Sequence, residues 1–132
     1  MKPEEVSVLV VDDVNTIRVQ LKDLLRTVGF RKVVAVENGE EAKSILADTS
    51  QSFHLILADW HMSPVDGLEL LQFVRKHPIY KTIPYVMVTA ETTKERVMTA
   101  VKEGVDDYLI KPLTILQVQN KGYAVLFKKG IL

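Results

Sequence analysis

"LILADWHMSPVDG", residues 55–67, decides how the chain is read. Leu55 to Ala58 is a continuous apolar run bounded by turn-forming residues, the pattern of a strand covered on both faces. The run stops on Asp59, then passes through Trp60 and His61 into a loop holding Pro64 and Asp66-Gly67. A strand can end on Asp simply because Asp starts turns. Asp59 gains meaning only if other strands deliver partners to the same edge.

Working outward, the chain alternates two periodicities. Apolar runs at 6–11, 32–37, 54–59, 85–90 and 106–110 read as strands. Between them lie helical patterns. Ile17, Leu21, Leu24, Leu25 and Val28 recur at 3- and 4-residue spacing, with Gly29 as a stop. Asn38 with Glu41, and Thr92 with Glu95, read as capping boxes that open the second and fourth helices. The third helix ends before Pro78, the fourth stops at Gly104, and a last helix follows Pro112. Five β-then-α units without a hairpin signal predict an α/β fold, a parallel sheet with helices on both faces and right-handed crossovers.

Bulk composition narrows the function classes. At 132 residues the chain reads as one domain, 1–132, burying about two thirds of its unfolded surface. There are no cysteines, which excludes disulfide and thiolate chemistry. Seventeen basic and 17 acidic residues balance, which argues against a nucleic-acid-coating protein. No stretch approaches the ~18 apolar residues of a membrane span, and "MKPEEVSVLVVDD" is too short in apolar residues for a signal peptide. The expectation is a soluble, cytoplasmic protein. Charge is unevenly spread: all acids lie at or before Asp107, so residues 108–132 carry +4 and the rest −4.

In open parallel sheets, ligands bind beyond the carboxyl ends of the strands. Strand one ends there in Asp12-Asp13, strand three in Asp59, strand four in Thr89 and strand five in Lys111. Each has a plain alternative: Asp13 as a helix cap, Thr89 as a strand threonine, Lys111 as a loop lysine, and Asp66-Gly67 as a turn without chemistry. Together they describe one pocket. Three converging carboxylates repel unless a cation joins them. Oxygen-only donors, with no Cys and no His-x-x-x-His pattern, favour Mg²⁺ over zinc. Lys111 and Thr89 suit phosphoryl oxygens, and a carboxylate can itself be the nucleophile. Asp59 is the candidate, with Asp12-Asp13 opposite as the metal pair.

The stretches "VVDDVNTIR", "ADWHMSPVDGLELL", "VMVTAE" and "YLIKPLT", in this order and spacing, resemble the receiver domain of two-component response regulators, most closely the single-domain chemotaxis type, from about residue 6 to about residue 118. The resemblance implies a flavodoxin-like fold of strand order 2-1-3-4-5. It implies that Asp59 accepts a phosphoryl group from a histidine kinase, that Asp12, Asp13, Asp59 and the backbone carbonyl of His61 ligate Mg²⁺, and that Lys111 bonds a phosphoryl oxygen. Thr89 and Tyr108 become a switch, the Lys111–Pro112 bond is expected cis, and the fourth helix, fifth strand and last helix become the face that meets a downstream protein.

Three departures stand out. His61 replaces the usual Asn two residues after the acceptor and, with Glu91, is expected to tune the lifetime of the aspartyl phosphate. Ser63-Pro64 shifts the usual proline by one place. Gly122 stands where the last helix usually has a core apolar residue, while the basic C-terminal segment offers either a solvated face or a partner surface. The function expected is a phosphorylation switch whose chemistry is confined to its own phosphorylation and hydrolysis. The alternatives are a receiver cut from a larger regulator or hybrid kinase and, remotely, a haloacid-dehalogenase-type phosphatase, whose nucleophile would have to end the first strand.

Overall fold

Apolar side chains that alternate across five strands build two separate cores, and that division decides where the polar strand ends point. The computed structural model describes Met1–Leu132. Strands β1 (Ser7–Val11), β2 (Lys32–Val36), β3 (Leu55–Asp59), β4 (Tyr85–Thr89) and β5 (Asp107–Ile110) alternate with helices α1 (Asn15–Thr27), α2 (Gly39–Ala47), α3 (Gly67–Arg75), α4 (Lys94–Lys102) and α5 (Ile115–Lys128). The sheet is parallel, in the order β2-β1-β3-β4-β5. This is the doubly wound, flavodoxin-like arrangement expected from the sequence.

β3 and β4 are buried along their whole length, as their unbroken apolar runs require, whereas the edge strands β2 and β5 are partly open. One core packs Leu9, Val11, Ile56, Ala58, Tyr85 and Met87 against α2, α3 and α4. The other packs Val8, Val10, Leu55, Leu57, Val86, Val88 and Leu109 against α1 and α5. Helices α1 and α4 stop at Gly29 and Gly104, which take left-handed φ of 113° and 97° at little steric cost.

Two cap assignments shift in detail. The Asn38 side chain accepts from Glu41 N at 2.9 Å, but the Glu41 carboxylate accepts from Glu37 N rather than from Asn38, so the reciprocal bond falls one residue early. α4 is capped by Thr93, accepting from Arg96 N at 3.3 Å, and not by Thr92. Asp66, read as a plain turn residue, caps α3 by accepting from Glu69 N at 2.8 Å.

Arg75, the last residue of α3, ties together segments far apart in sequence. Its guanidinium donates to the carbonyls of Gly104 and Ile83 and to Asp106 Oδ2, at 2.7–3.0 Å. Asp106 also accepts from Tyr85 N at 2.8 Å and lies 3.3 Å from Lys129 Nζ. Arg75→Met leaves the Gly104 and Ile83 carbonyls without their side-chain donor and takes from Asp106 its guanidinium, leaving it Tyr85 N and Lys129. It should lower unfolding free energy by about 3 kcal/mol in urea titration.

Gly122 is buried, and the space that an apolar side chain would fill is taken by Phe30, whose ring stacks on Tyr123 at a centroid distance of 5.4 Å. A Cβ at Gly122 would meet that ring at 3.6 and 3.8 Å, an ordinary contact. Gly122→Ala should therefore stabilise the protein by about 1 kcal/mol, read as a raised urea midpoint at unchanged slope.

Candidate functional site

β1 and β3 are neighbours, with Val11 paired to Ala58, so the next residues, Asp12 and Asp59, meet at the carboxyl edge. Alternation puts both on the α1/α5 side, in line with Val8 and Val10 and with Leu55 and Leu57. Lys111 follows Leu109 with the same parity. Thr89 and Tyr108 have the opposite parity and fall on the α4 side, where Tyr85 and Met87 pack and Tyr108 itself is partly buried. The strand ends thus deliver an acid–lysine cluster to one side of the sheet edge and a hydroxyl pair to the other.

Carboxylate oxygens of Asp12, Asp13 and Asp59 all lie within 4.8 Å of one another. Asp12 and Asp59 are buried, whereas Asp13 is exposed. Asp13 does not cap α1: the N-cap position is Val14, and no side chain caps that end. Instead Asp12 Oδ1 accepts from Val14 N at 2.9 Å, while Arg18 donates to the Asp12 carbonyl at 2.7 Å, which fixes the acid-bearing turn. Lys111 Nζ lies 3.3 Å from Asp12 Oδ2 and 3.5 Å from Asp59 Oδ1. Burial pushes the Asp59 carboxyl above its ordinary range, Asp12 and Asp13 push it further, and Lys111 opposes them. One ammonium among three acids leaves room for more positive charge, and an all-oxygen donor set is one that could hold a metal ion. The Lys111–Pro112 and Ser63–Pro64 peptide bonds are both cis.

The backbone that carries Asp59 is backed by a glycine whose importance was not legible in the sequence. Gly67 N donates to Trp60 O at 2.9 Å, and a Cβ at Gly67 would fall 2.3 Å from the Asp59 carbonyl oxygen. Only hydrogen fits there, so the turn Asp66-Gly67 sets how closely α3 approaches the site.

On the α4 side, Thr89 is buried and its Oγ1 accepts from Glu91 N at 3.1 Å. The Tyr108 hydroxyl reaches the Arg96 carbonyl at 3.5 Å. His61 Nε2 lies 3.4 Å from Glu91 Oε1, which joins the loop after β3 to the loop after β4. Arg96 was missed in the sequence: its Nε lies 3.0 Å from Glu91 Oε2, and its guanidinium sits 5.1 Å above the centroid of Trp60.

The basic C-terminal segment is less basic in place than in sequence. Lys121 and Lys129 pair with Asp107 and Asp106, and Lys111 belongs to the acid cluster.

Comparisons with known proteins agree with this geometry. Residues 8–121 match the family described as response regulator receiver domain. The chain is 38% identical over 118 residues to the chemotaxis protein CheY1 of Helicobacter pylori, spanning 89% of this chain and 94% of that one. It is 38% identical over 113 residues to a CheY homolog of Campylobacter jejuni, spanning 86% of each. The solved structure of Vibrio cholerae CheY4 superposes with a TM-score of 0.85 at 29% identity, over 92% of this chain and 98% of that one. The chain belongs to the response regulator receiver family: it is a phospho-accepting signalling protein of the two-component type. Receivers of this type meet histidine kinases and downstream targets, and are not enzymes acting on a separate substrate.

A carboxyl whose folded pKa is raised makes the folded state bind a proton that the unfolded state releases, so stability falls as pH rises from 3.8 through the folded value. Asp59→Asn, in the presence of a chelator, should therefore be more stable than the parent at pH 7, with the difference closing as pH falls toward 3.8. Thermal melts across pH check this, and added Mg²⁺ should raise the melting temperature of the parent more than that of the variant.

Proposed function

We propose that Asp59 is the phosphoacceptor of a chemotaxis-type switch, that the 132 residues act as one receiver domain, and that it works in the cytoplasm. The observation that carries this reading is the buried pair Asp12 and Asp59, bridged by Lys111 at the switch point of the sheet. Asp12, Asp13, Asp59 and the backbone carbonyl of His61 would hold Mg²⁺, which when bound offsets negative charge on the carboxylates and on an incoming phosphoryl group.

The chain's own groups have separable tasks. One oxygen of Asp59 attacks phosphorus while the bond to the histidine nitrogen of the kinase breaks, and the electron pair leaves with the imidazole. Lys111, already within 3.5 Å of Asp59, is placed to bond an oxygen of the transferred group. Thr89 Oγ1 accepts from Glu91 N, so its own proton is free to be donated to another phosphoryl oxygen. If the Thr89 side chain rotates to bring Oγ1 to the phosphoryl group, Glu91 N loses its acceptor and the loop into α4 is loosened. Tyr108, next to that loop on the same side of the sheet, would respond by moving inward.

The output face in this reading comprises α4, β5 and α5. Met98 and Val101 on α4 and Leu116 on α5 are exposed there, with Tyr108 on the strand between. The chemotaxis assignment is carried over from the relatives named CheY.

Intact-mass measurement after incubation with Mg²⁺ and acetyl phosphate tests the reading. The parent should gain one phosphoryl group, and Asp59→Asn, or the parent with chelator, should gain none. A modified Asp59→Asn protein would remove Asp59 from the role.

A further inference from the structure

We propose that Arg96 is a positioning residue that holds the Glu91 carboxylate against His61 across the mouth of the acceptor pocket, and that this bridge slows in-line chemistry at Asp59. The inference rests on Asp59 being the phosphoacceptor and adds to that reading a residue that acts through Glu91.

Four contacts carry it. Glu91 is held from two sides, with Oε2 3.0 Å from Arg96 Nε and Oε1 3.4 Å from His61 Nε2. Arg96 is in turn fixed over the Trp60 ring at 5.1 Å, and its backbone carbonyl receives the Tyr108 hydroxyl at 3.5 Å. Trp60 and His61 directly follow Asp59, and Glu91 follows Thr89 by two residues, on strands paired through Asp59 and Val88. The bridge therefore joins the loops that follow β3 and β4, the strands that end on Asp59 and Thr89.

The placement of Arg96 is itself unusual. It lies in the first turn of α4, where the helix dipole disfavours a cation. The electrons of the Trp60 face and the Glu91 carboxylate supply what the helix end does not. The side chain is only 36% exposed, compared with 50% for Glu91. The clamp thus orders a carboxylate that would otherwise sample solvent.

The chemical consequence follows from in-line geometry. During phosphorylation, Asp59 oxygen bonds to phosphorus and the donor group departs on the opposite side. During hydrolysis, water attacks from that same side, the bond from phosphorus to Asp59 oxygen breaks, and Asp59 leaves as the carboxylate. The water proton passes to solvent and inorganic phosphate is released. A bridge over this approach hinders both directions. Its opening releases both.

The test compares parent, Arg96→Gln, Arg96→Lys, Glu91→Gln and the double Gln variant at saturating Mg²⁺, following intact mass during acetyl phosphate labelling and after donor removal. An exposed pair is worth little, so Arg96→Gln should speed labelling and dephosphorylation alike by about two- to fivefold. Arg96→Lys, which keeps a cation for Glu91, should stay near the parent. In the Glu91→Gln background Arg96→Gln should add nothing, because the partner through which it acts is gone. The inference is overturned if Arg96→Gln leaves dephosphorylation unchanged, if Arg96→Lys is as fast as Arg96→Gln, or if the acceleration persists without Glu91. A parent that forms no Asp59-dependent adduct overturns the functional reading and the bridge together. A labelled parent with unchanged Arg96 variants overturns the bridge alone.

Discussion

Two buried carboxylates, Asp12 and Asp59, share one lysine at the edge of the sheet, and much of the molecule is arranged around that unfavourable contact. Burial and the neighbouring Asp12 push the Asp59 carboxyl above its ordinary range, and keeping it ionised there costs stability. The fold tolerates this because the neighbouring apolar runs of β1, β3 and β4 are completely buried and hold the acids in place. The electrostatic tension makes the edge receptive to a cation and to an anionic group that brings a cation with it.

The two cores give this edge its directionality. Asp12, Asp59 and Lys111 continue the alternation that faces α1 and α5, while Thr89 and Tyr108 continue the one that faces α4. In the proposed switch, a chemical event on the first side would reach the second through Thr89, whose oxygen is already bonded to the loop leading into α4.

Much of this was legible in the sequence because it is local or periodic. Strands, helices and their order follow from apolar spacing, and the acids, threonine and lysine were found by asking what each strand delivers to one edge. What escaped depended on partners distant in sequence. Gly67 looked like half of a turn, since the constraint on it comes from the carbonyl of Asp59. The tandem Thr92-Thr93 offered two equivalent caps, and tertiary placement of the loop selected the second. The C-terminal lysines looked unopposed because two of their acidic partners, Asp106 and Asp107, lie just before the segment. Arg96 left one faint signal, a cation in the first turn of a helix, which is meaningful only once Glu91 and Trp60 are seen beside it.

Trp60 gives the molecule a further property. It is the only tryptophan in the chain, it is buried, and it directly follows Asp59 with a guanidinium over its ring. Indole emission responds to nearby charge, so all tryptophan fluorescence from this protein originates at the one place where phosphoryl chemistry and the movement of Arg96 would alter that charge. Trp60 would thereby serve as an unlabelled optical reporter of events at Asp59.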